Sequence, residues 1–199
     1  MNKVVVGGVV VLLVVFAFIS QSGNAASVEV GTKAPKFTLK DPDGKEHSLD
    51  EYLTKKYTVV MFIATQCPVS LAYDDRMAKL HNDYAAKDVA FVGINSNKQE
   101  SIEEIKEHSA EKGFGFDVLK DWNNIVADAY GAQFTPEVFI LDGKGSVVYH
   151  GRIDDSKNAA AVKTHDVRET LDALLMGKAV PRAETKAFGC TIKRIKKES

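Results

Sequence analysis

Residues 62–70 read Phe-Ile-Ala-Thr-Gln-Cys-Pro-Val-Ser (FIATQCPVS), and the fold turns on how this stretch is read. It closes the apolar run Thr58 to Ile63, whose unbroken hydrophobicity is that of a strand buried on both faces. Pro68 follows. A proline suits the first position of a helix, where its missing N–H would have no partner. Beyond it, Tyr73, Met77, Leu80 and Tyr84 recur at helical spacing and predict one helix running on from Pro68 with a single apolar face. Cys67 therefore stands where a buried strand ends and a helix begins. Unpaired N–H groups and the helix dipole converge on a sulfur at that point and favour thiolate over thiol. Thiolate is the nucleophile toward disulfides and peroxides, and such a corner suits a reactive cysteine better than a packed structural one.

Working outward, residues 37–49 (FTLKDPDGKEHSL) predict two short strands around Asp41-Pro42-Asp43-Gly44. Val89 to Ile94 predicts a second buried strand, and Ser101-Ile-Glu-Glu104 is a capping box opening a helix that Gly113 ends. A shorter helix is expected over Asn124 to Tyr130. Val138 to Leu141 and Val147 to Tyr149 flank Asp142-Gly-Lys-Gly145, a hairpin signal. Val167, Leu171, Leu174 and Leu175 mark a last helix stopping near Gly177. The order β-β, then β-α-β-α, then β-β-α implies an α/β fold. Parallel strands joined by crossover helices and a late antiparallel hairpin make a mixed central sheet with helices on both faces and an N-terminal β-hairpin extension.

With 199 residues, 45% hydrophobic and 27% charged, at a formal net charge of −1, the chain has the balance of a globular domain plus extras. It has no basic field for nucleic acid, and Lys193, Lys196 and Lys197 read as a solvated terminus. At the start, Val4 to Ile19 is uncharged and mostly apolar. Polar Ser20, Gln21 and Ser22 follow, then Gly23-Asn24-Ala25 with small residues at the −3 and −1 positions of a cut. This is the pattern of a secretory signal cleaved after Ala25, and the run falls short of the ~20 residues that span a bilayer comfortably. The expected organisation is a signal peptide over 1–25, a globular domain over 28–177 and an extended tail over 178–199 carrying Cys190. Export places the protein in the periplasm or another extracytoplasmic compartment, with membrane attachment only if the leader stays uncleaved.

Thr135-Pro136 directly precedes the strand at Val138, a corner that a cis peptide bond would suit. Together with FIATQCPVS, the segments VGTKAPKFTLKDPDGKEHSL, VAFVGINSN, FTPEVFILDGKG, YHGRIDD and FGCTIKR carry a resemblance over about residues 28–192. The chain resembles the thioredoxin superfamily in its peroxiredoxin-like redoxin branch, the alkyl hydroperoxide reductase and thiol-specific antioxidant type. That resemblance implies a thioredoxin-like fold, Cys67 as the redox-site cysteine and Pro136 as the cis-proline facing it. Thr135 would present backbone polar groups to a substrate chain, and Thr65 and Pro68 beside the sulfur complete the expected substrate-binding set. The sequence departs from both parent patterns. Ala64 occupies the first cysteine position of C-x-x-C. Val60 and Ala64 stand where P-x-x-x-T-x-x-C asks for Pro and Thr, with Thr65 one position on. Thr135-Pro136 fills the neighbourhood from which peroxiredoxins bring an arginine to the thiolate.

The second cysteine, Cys190, follows Gly189 in the tail. If the tail folds back, Cys67 attacks a peroxide or protein disulfide and Cys190 resolves the intermediate, provided the Cα atoms lie within about 4.4–6.8 Å. Otherwise Cys190 is a free or intermolecular thiol. The expected function is an exported thiol oxidoreductase with no cofactor, regenerated by an external dithiol reductant. The alternative is a redox-silent binding module holding a protein partner or Cu(I). No metal pattern accompanies it: His47, His81, His108, His150 and His165 are scattered, and Leu71 breaks a C-x-x-x-C copper spacing. Arg76, on the far side of the helix from Cys67 at about 100° per residue, reads as a surface or ion-pairing residue. Arg152 is expected to pair with Asp154 or Asp155, and Tyr73 and Trp122 to pack.

Overall fold

The computed structural model describes residues 28–196, so the leader expected over 1–25 lies outside the described residues. The chain opens with a hairpin, β1 (Thr38–Lys40) and β2 (Glu46–Ser48), and a short helix α1 (Leu49–Tyr52). Then follow β3 (Tyr57–Phe62), α2 (Pro68–Leu71), α3 (Asp74–Tyr84), β4 (Val89–Asn95), α4 (Ile102–Glu111), β5 (Asp117–Lys120) and α5 (Ile125–Tyr130). The second half contributes β6 (Phe134–Thr135), β7 (Glu137–Asp142), β8 (Val147–Gly151), α6 (Asp166–Leu175) and β9 (Cys190–Thr191).

The main sheet has seven strands in the order β2-β1-β5-β4-β3-β7-β8. β3, β4 and β5 are parallel, whereas β7 and β8 add antiparallel strands beyond β3. The mixed architecture expected from the element order is present. Because successive side chains of a strand point to opposite faces, β3 serves two cores at once. Val59, Met61 and Ile63 pack with Tyr73, Met77, Leu80 and Tyr84 of the α3 side, Ile105 of α4, and Val167 and Leu171 of α6. Val60 and Phe62 pack on the other face with Leu49 and Tyr52 of α1 and Val126, Ala127 and Tyr130 of α5. Each fully buried large apolar side chain contributes about 1.5–3 kcal/mol.

Several elements differ from expectation: α1, β6 and β9 were not anticipated, the last lying in what was read as an extended tail. The helix after Pro68 is not continuous: α2 stops at Leu71, Ala72 caps it, and α3 starts at Asp74. The strand β5 was not expected. Its four residues, Asp-Val-Leu-Lys, hold only two apolar side chains, and both ends are charged. It is a strand because it pairs with β4 from Val92 to Asn95, and it is this strand that joins the N-terminal hairpin to the sheet through Lys40. Trp122 does not pack as expected: it is 52% exposed. Among the described residues no helix is long and apolar enough to cross a membrane.

Candidate active site

Cys67 is the N-cap of α2, in extended backbone at φ −87° and ψ 115°, with Pro68 as the first helical residue. The Ser70 N–H donates to its Sγ at 3.3 Å. Ser70 is fully buried, and its Oγ accepts the Ala64 N–H at 3.1 Å, closing the corner on itself. The electrostatic support is thus more local than the sequence implied. A helix of one turn has little dipole of its own, and the Ser70 N–H supplies the stabilisation of negative charge on sulfur. Nor is the corner open. Cys67 is 4% exposed, because the second cysteine and its segment cover it.

That cover is the tail. Cys190 is disulfide-bonded to Cys67, with Cα atoms 5.9 Å apart, inside the range that a disulfide spans without backbone movement. The tail reaches the site as a strand. β9 pairs antiparallel with β6, setting Cys190 opposite Thr135 and Thr191 opposite Phe134. The Thr135–Pro136 bond is cis, as the resemblance implied. The Thr135 carbonyl oxygen lies 3.3 Å from Cys67 Sγ, so a reduced thiol donates to it. Beyond β9 the Ile192 side chain is buried in the core on the α1 and α5 face. Further hydrogen bonds hold the chain as far as Ile195. The Ile192 N–H donates to the Gln133 carbonyl at 2.9 Å and the Lys193 N–H to Asn97 Oδ1 at 2.7 Å. Arg194 Nε donates to Asp128 at 2.8 Å, and the Ile195 N–H to Asn124 Oδ1 at 2.8 Å.

The remaining expected residues divide. Thr65 takes part through its backbone: its N–H donates to Glu100, and its buried hydroxyl has no hydrogen-bond partner among the described residues. Pro68 shapes the helix start. Arg76 is an ion-pairing residue, as expected: it bonds Asp154 at 2.5 Å and the carbonyls of Ala72, Ser156 and Lys157. Tyr73 packs, 1% exposed, with its hydroxyl donating to Asp154 at 2.8 Å. Arg152 is a correction. It bonds Asp166 at 2.8 Å rather than Asp154 or Asp155, because α6 brings its first residue beside β8, and Asp154 is already taken by Arg76 and Tyr73.

Two buried carboxylates underlie the site, and sequence reasoning passed over both. Glu100, 1% exposed, accepts the N–H groups of Thr65 at 2.8 Å and Gln66 at 3.1 Å. Glu137, 3% exposed, accepts the N–H groups of Gln133 at 2.7 Å and Phe134 at 2.9 Å, and its other oxygen bonds His150 Nε2 at 2.7 Å. One therefore clamps the loop leading into Cys67, and the other clamps β6 just ahead of the cis-proline. The available signals were positional: Glu100 directly precedes the capping serine, and Glu137 sits between Pro136 and an apolar strand. Lys120 is buried beneath Glu100. Desolvation holds its ammonium below the usual lysine range, partly offset by the charges of Glu100 and Asp121.

The chain is similar to known proteins to different depths. The chain is 30% identical over 122 residues to the thiol-disulfide oxidoreductase ResA of Geobacillus thermodenitrificans, covering 61% of this chain and 68% of that one. A crystal structure of an uncharacterized conserved protein from Geobacillus kaustophilus overlays at a TM-score of 0.81 with 35% identity, over 85% of this chain and 94% of the other. The thioredoxin domain of a thiol-disulfide oxidoreductase from Bacteroides vulgatus overlays at a TM-score of 0.61 with 20% identity, over 75% and 99% of the two chains. The fold is thioredoxin-like. The model of the AhpC/TSA family matches residues 30–150, and the chain belongs to that family.

Proposed function

We propose that this protein is an exported thiol oxidoreductase in which Cys67 is the nucleophile and Cys190 the resolving cysteine. The observation that carries the reading is the Cys67–Cys190 disulfide at the junction of α2, β6 and β9. In the reduced protein the Cys67 thiolate, held by the Ser70 N–H, attacks one sulfur of a substrate disulfide and expels the other as a thiol. Cys190 then attacks Cys67 Sγ, forming the internal disulfide and releasing the second substrate thiol. With a peroxide, the first step leaves a sulfenic acid on Cys67, and the second releases water. Thr135, Pro136, Thr65 and Pro68 border the sulfur and form the substrate-binding edge.

A disulfide is the better fit of the two oxidants. Val60 and Ala64 stand where the peroxidase pattern asks for Pro and Thr, and the similarity to a protein named for thiol-disulfide oxidation points the same way. Regeneration takes an external dithiol, which meets the less buried Cys190 before Cys67. The first 25 residues and the internal disulfide together favour an oxidising compartment.

Mass spectrometry of the reduced protein after one equivalent of a small disulfide, or of hydrogen peroxide, tests the reading. The wild type is expected to lose the mass of two hydrogens. Cys190→Ser is expected to hold a mixed disulfide, or one added oxygen with peroxide, while Cys67→Ser stays unreacted. A Cys67→Ser protein that reacts as fast as the wild type would sink the assignment, and an inert wild type would leave the binding-module alternative. The relative rates of the two oxidants decide the substrate class.

A further inference from the structure

The loop between β4 and α4 touches both cysteine-bearing segments. At its end, Glu100 accepts the two N–H groups immediately ahead of Cys67, those of Thr65 and Gln66. The same carboxylate accepts the side-chain amides of Asn95 and Asn97, the latter at 2.8 Å. Asn97, 4% exposed, spends its other side-chain atom on the tail: its Oδ1 accepts the Lys193 N–H at 2.7 Å. The Lys193 carbonyl in turn accepts the Lys98 N–H at 2.9 Å. One unbroken path of hydrogen bonds therefore runs from the Cys67 loop through Glu100 and Asn97 to the segment carrying Cys190. Lys120 holds the path from below, with Nζ donating to Asn95 Oδ1 at 2.9 Å, the Asn97 carbonyl at 2.6 Å and the Glu100 carbonyl at 2.8 Å.

Burying a carboxylate and two carboxamides is costly unless every polar atom is matched, and here the matching partners are the backbone amides of the two reacting segments. The bracket matters most in the reduced state. Without a sulfur–sulfur bond, the stretch around Cys190 is held by β9, by the buried Ile192, by Phe188 against Tyr73 and by hydrogen bonds such as that to Asn97. Resolution is an intramolecular step, so its driving force is the effective concentration of Cys190 at Cys67, which depends on how well the tail is kept in register.

We propose that Asn97 and Glu100 are positioning residues that set the effective concentration of Cys190 at Cys67, Glu100 by fixing the loop before the nucleophile and Asn97 by tying the resolving tail to it. The inference rests on the redox role proposed for this pair. Neither residue exchanges a proton or an electron. The step they serve is attack of the Cys190 thiolate on Cys67 Sγ of a mixed disulfide, which breaks the Cys67–substrate bond and releases the substrate thiolate.

Equilibration of full-length protein in glutathione buffers gives this effective concentration from the oxidised fraction. Asn97→Ala is expected to lower it about five- to tenfold, the size of one lost buried hydrogen bond. Lys193→Pro, which removes the tail N–H without touching the loop, is expected to lower it by no more than that. The double variant should lose no more than Asn97→Ala alone, since the contact Lys193→Pro deletes is one of the two that Asn97→Ala deletes. Glu100→Gln, which turns one acceptor oxygen into a donor facing backbone N–H groups, should also lower it. The rate at which Cys67 attacks a small disulfide, read in a Cys190→Ser background, should fall far less than the effective concentration in Asn97→Ala. Additive losses from Asn97→Ala and Lys193→Pro, an unchanged effective concentration, or equal losses in the two steps would each overturn the bracket. If wild type equilibrates with glutathione but turns over neither protein disulfides nor peroxide, the proposed activity fails while the bracket stands. An active protein with an indifferent Asn97→Ala variant is the reverse case.

Discussion

Gly189 shows how tightly the tail is seated. A Cβ built there would lie 2.1 Å from the Thr135 carbonyl oxygen, a backbone atom that cannot step aside. Only glycine lets the chain pass close enough for Cys190 to pair with Thr135. Gly189→Ala is therefore expected to lift the tail off β6 and to lower the oxidised fraction in a glutathione buffer at least tenfold in effective concentration. An alanine variant that oxidises like the wild type would show that the approach has slack. At this scale Cys67, Pro68 and Thr135-Pro136 were legible, because proline leaves a mark on the backbone whatever surrounds it. Glu100 and Glu137 were not, since a glutamate in a sequence reads as solvated surface until the amides it accepts are located. Arg152 was misassigned for the same reason: several aspartates lie nearby in sequence, and only the position of α6 selects Asp166.

At the scale of elements, α3 begins on a buried acid. Asp74 is 2% exposed, and neither carboxylate oxygen has a hydrogen-bond partner among the described residues. His108 Nε2 lies 3.2 Å away but off the hydrogen-bonding direction. Burial pushes the Asp74 carboxyl above the usual carboxylate range, with His108 and Lys112 drawing it back down and Asp75 adding to the rise. A carboxyl raised in the folded state stabilises the fold below its unfolded pKa, and that contribution is lost as the pH rises through the folded value. Asp74→Asn is thus expected to be more stable than wild type at pH 7, by about 1–3 kcal/mol, with the gain shrinking toward pH 4. Urea unfolding at the two pH values measures this, and a loss at pH 7 would mean that the His108 ion pair outweighs desolvation. The capping box at Ser101 found α4, and apolar period found β3, β4 and α6. It joined α2 to α3 because the spacing that defines the helix starts only at Tyr73 and says nothing of the turn before it. It missed β5, which owes its existence to β4 more than to its own side chains.

For the whole molecule, the disulfide links the β3–α2 corner to the tail across 123 positions. Cross-linking over a loop of that length restricts the unfolded chain and is worth about 3–5 kcal/mol. Reduction is expected to lower stability by that amount, seen as an earlier urea midpoint with a dithiol present. No shift would mean that Ile192 and the hydrogen bonds from Asn97 and Asn124 hold the tail without help. The β-α alternation announced a mixed sheet, yet not its order. The placement of the β1–β2 hairpin beside β5, rather than beside β3 that follows it in the chain, comes from pairing between strands remote in sequence.

The amino-acid sequence by itself determined the alternation of elements, the Cys67-Pro68 corner, the Thr135-Pro136 corner and the family pattern they carry. Each of these is written in hydrophobic period or in backbone chemistry, both of which act over a few residues. The tertiary structure alone decided that Cys190 reaches Cys67, that Asp166 takes Arg152, and that two buried glutamates hold the loops beside the sulfur. Those pairings depend on how the chain closes over tens to more than a hundred residues, and the groups they join leave no local trace of one another.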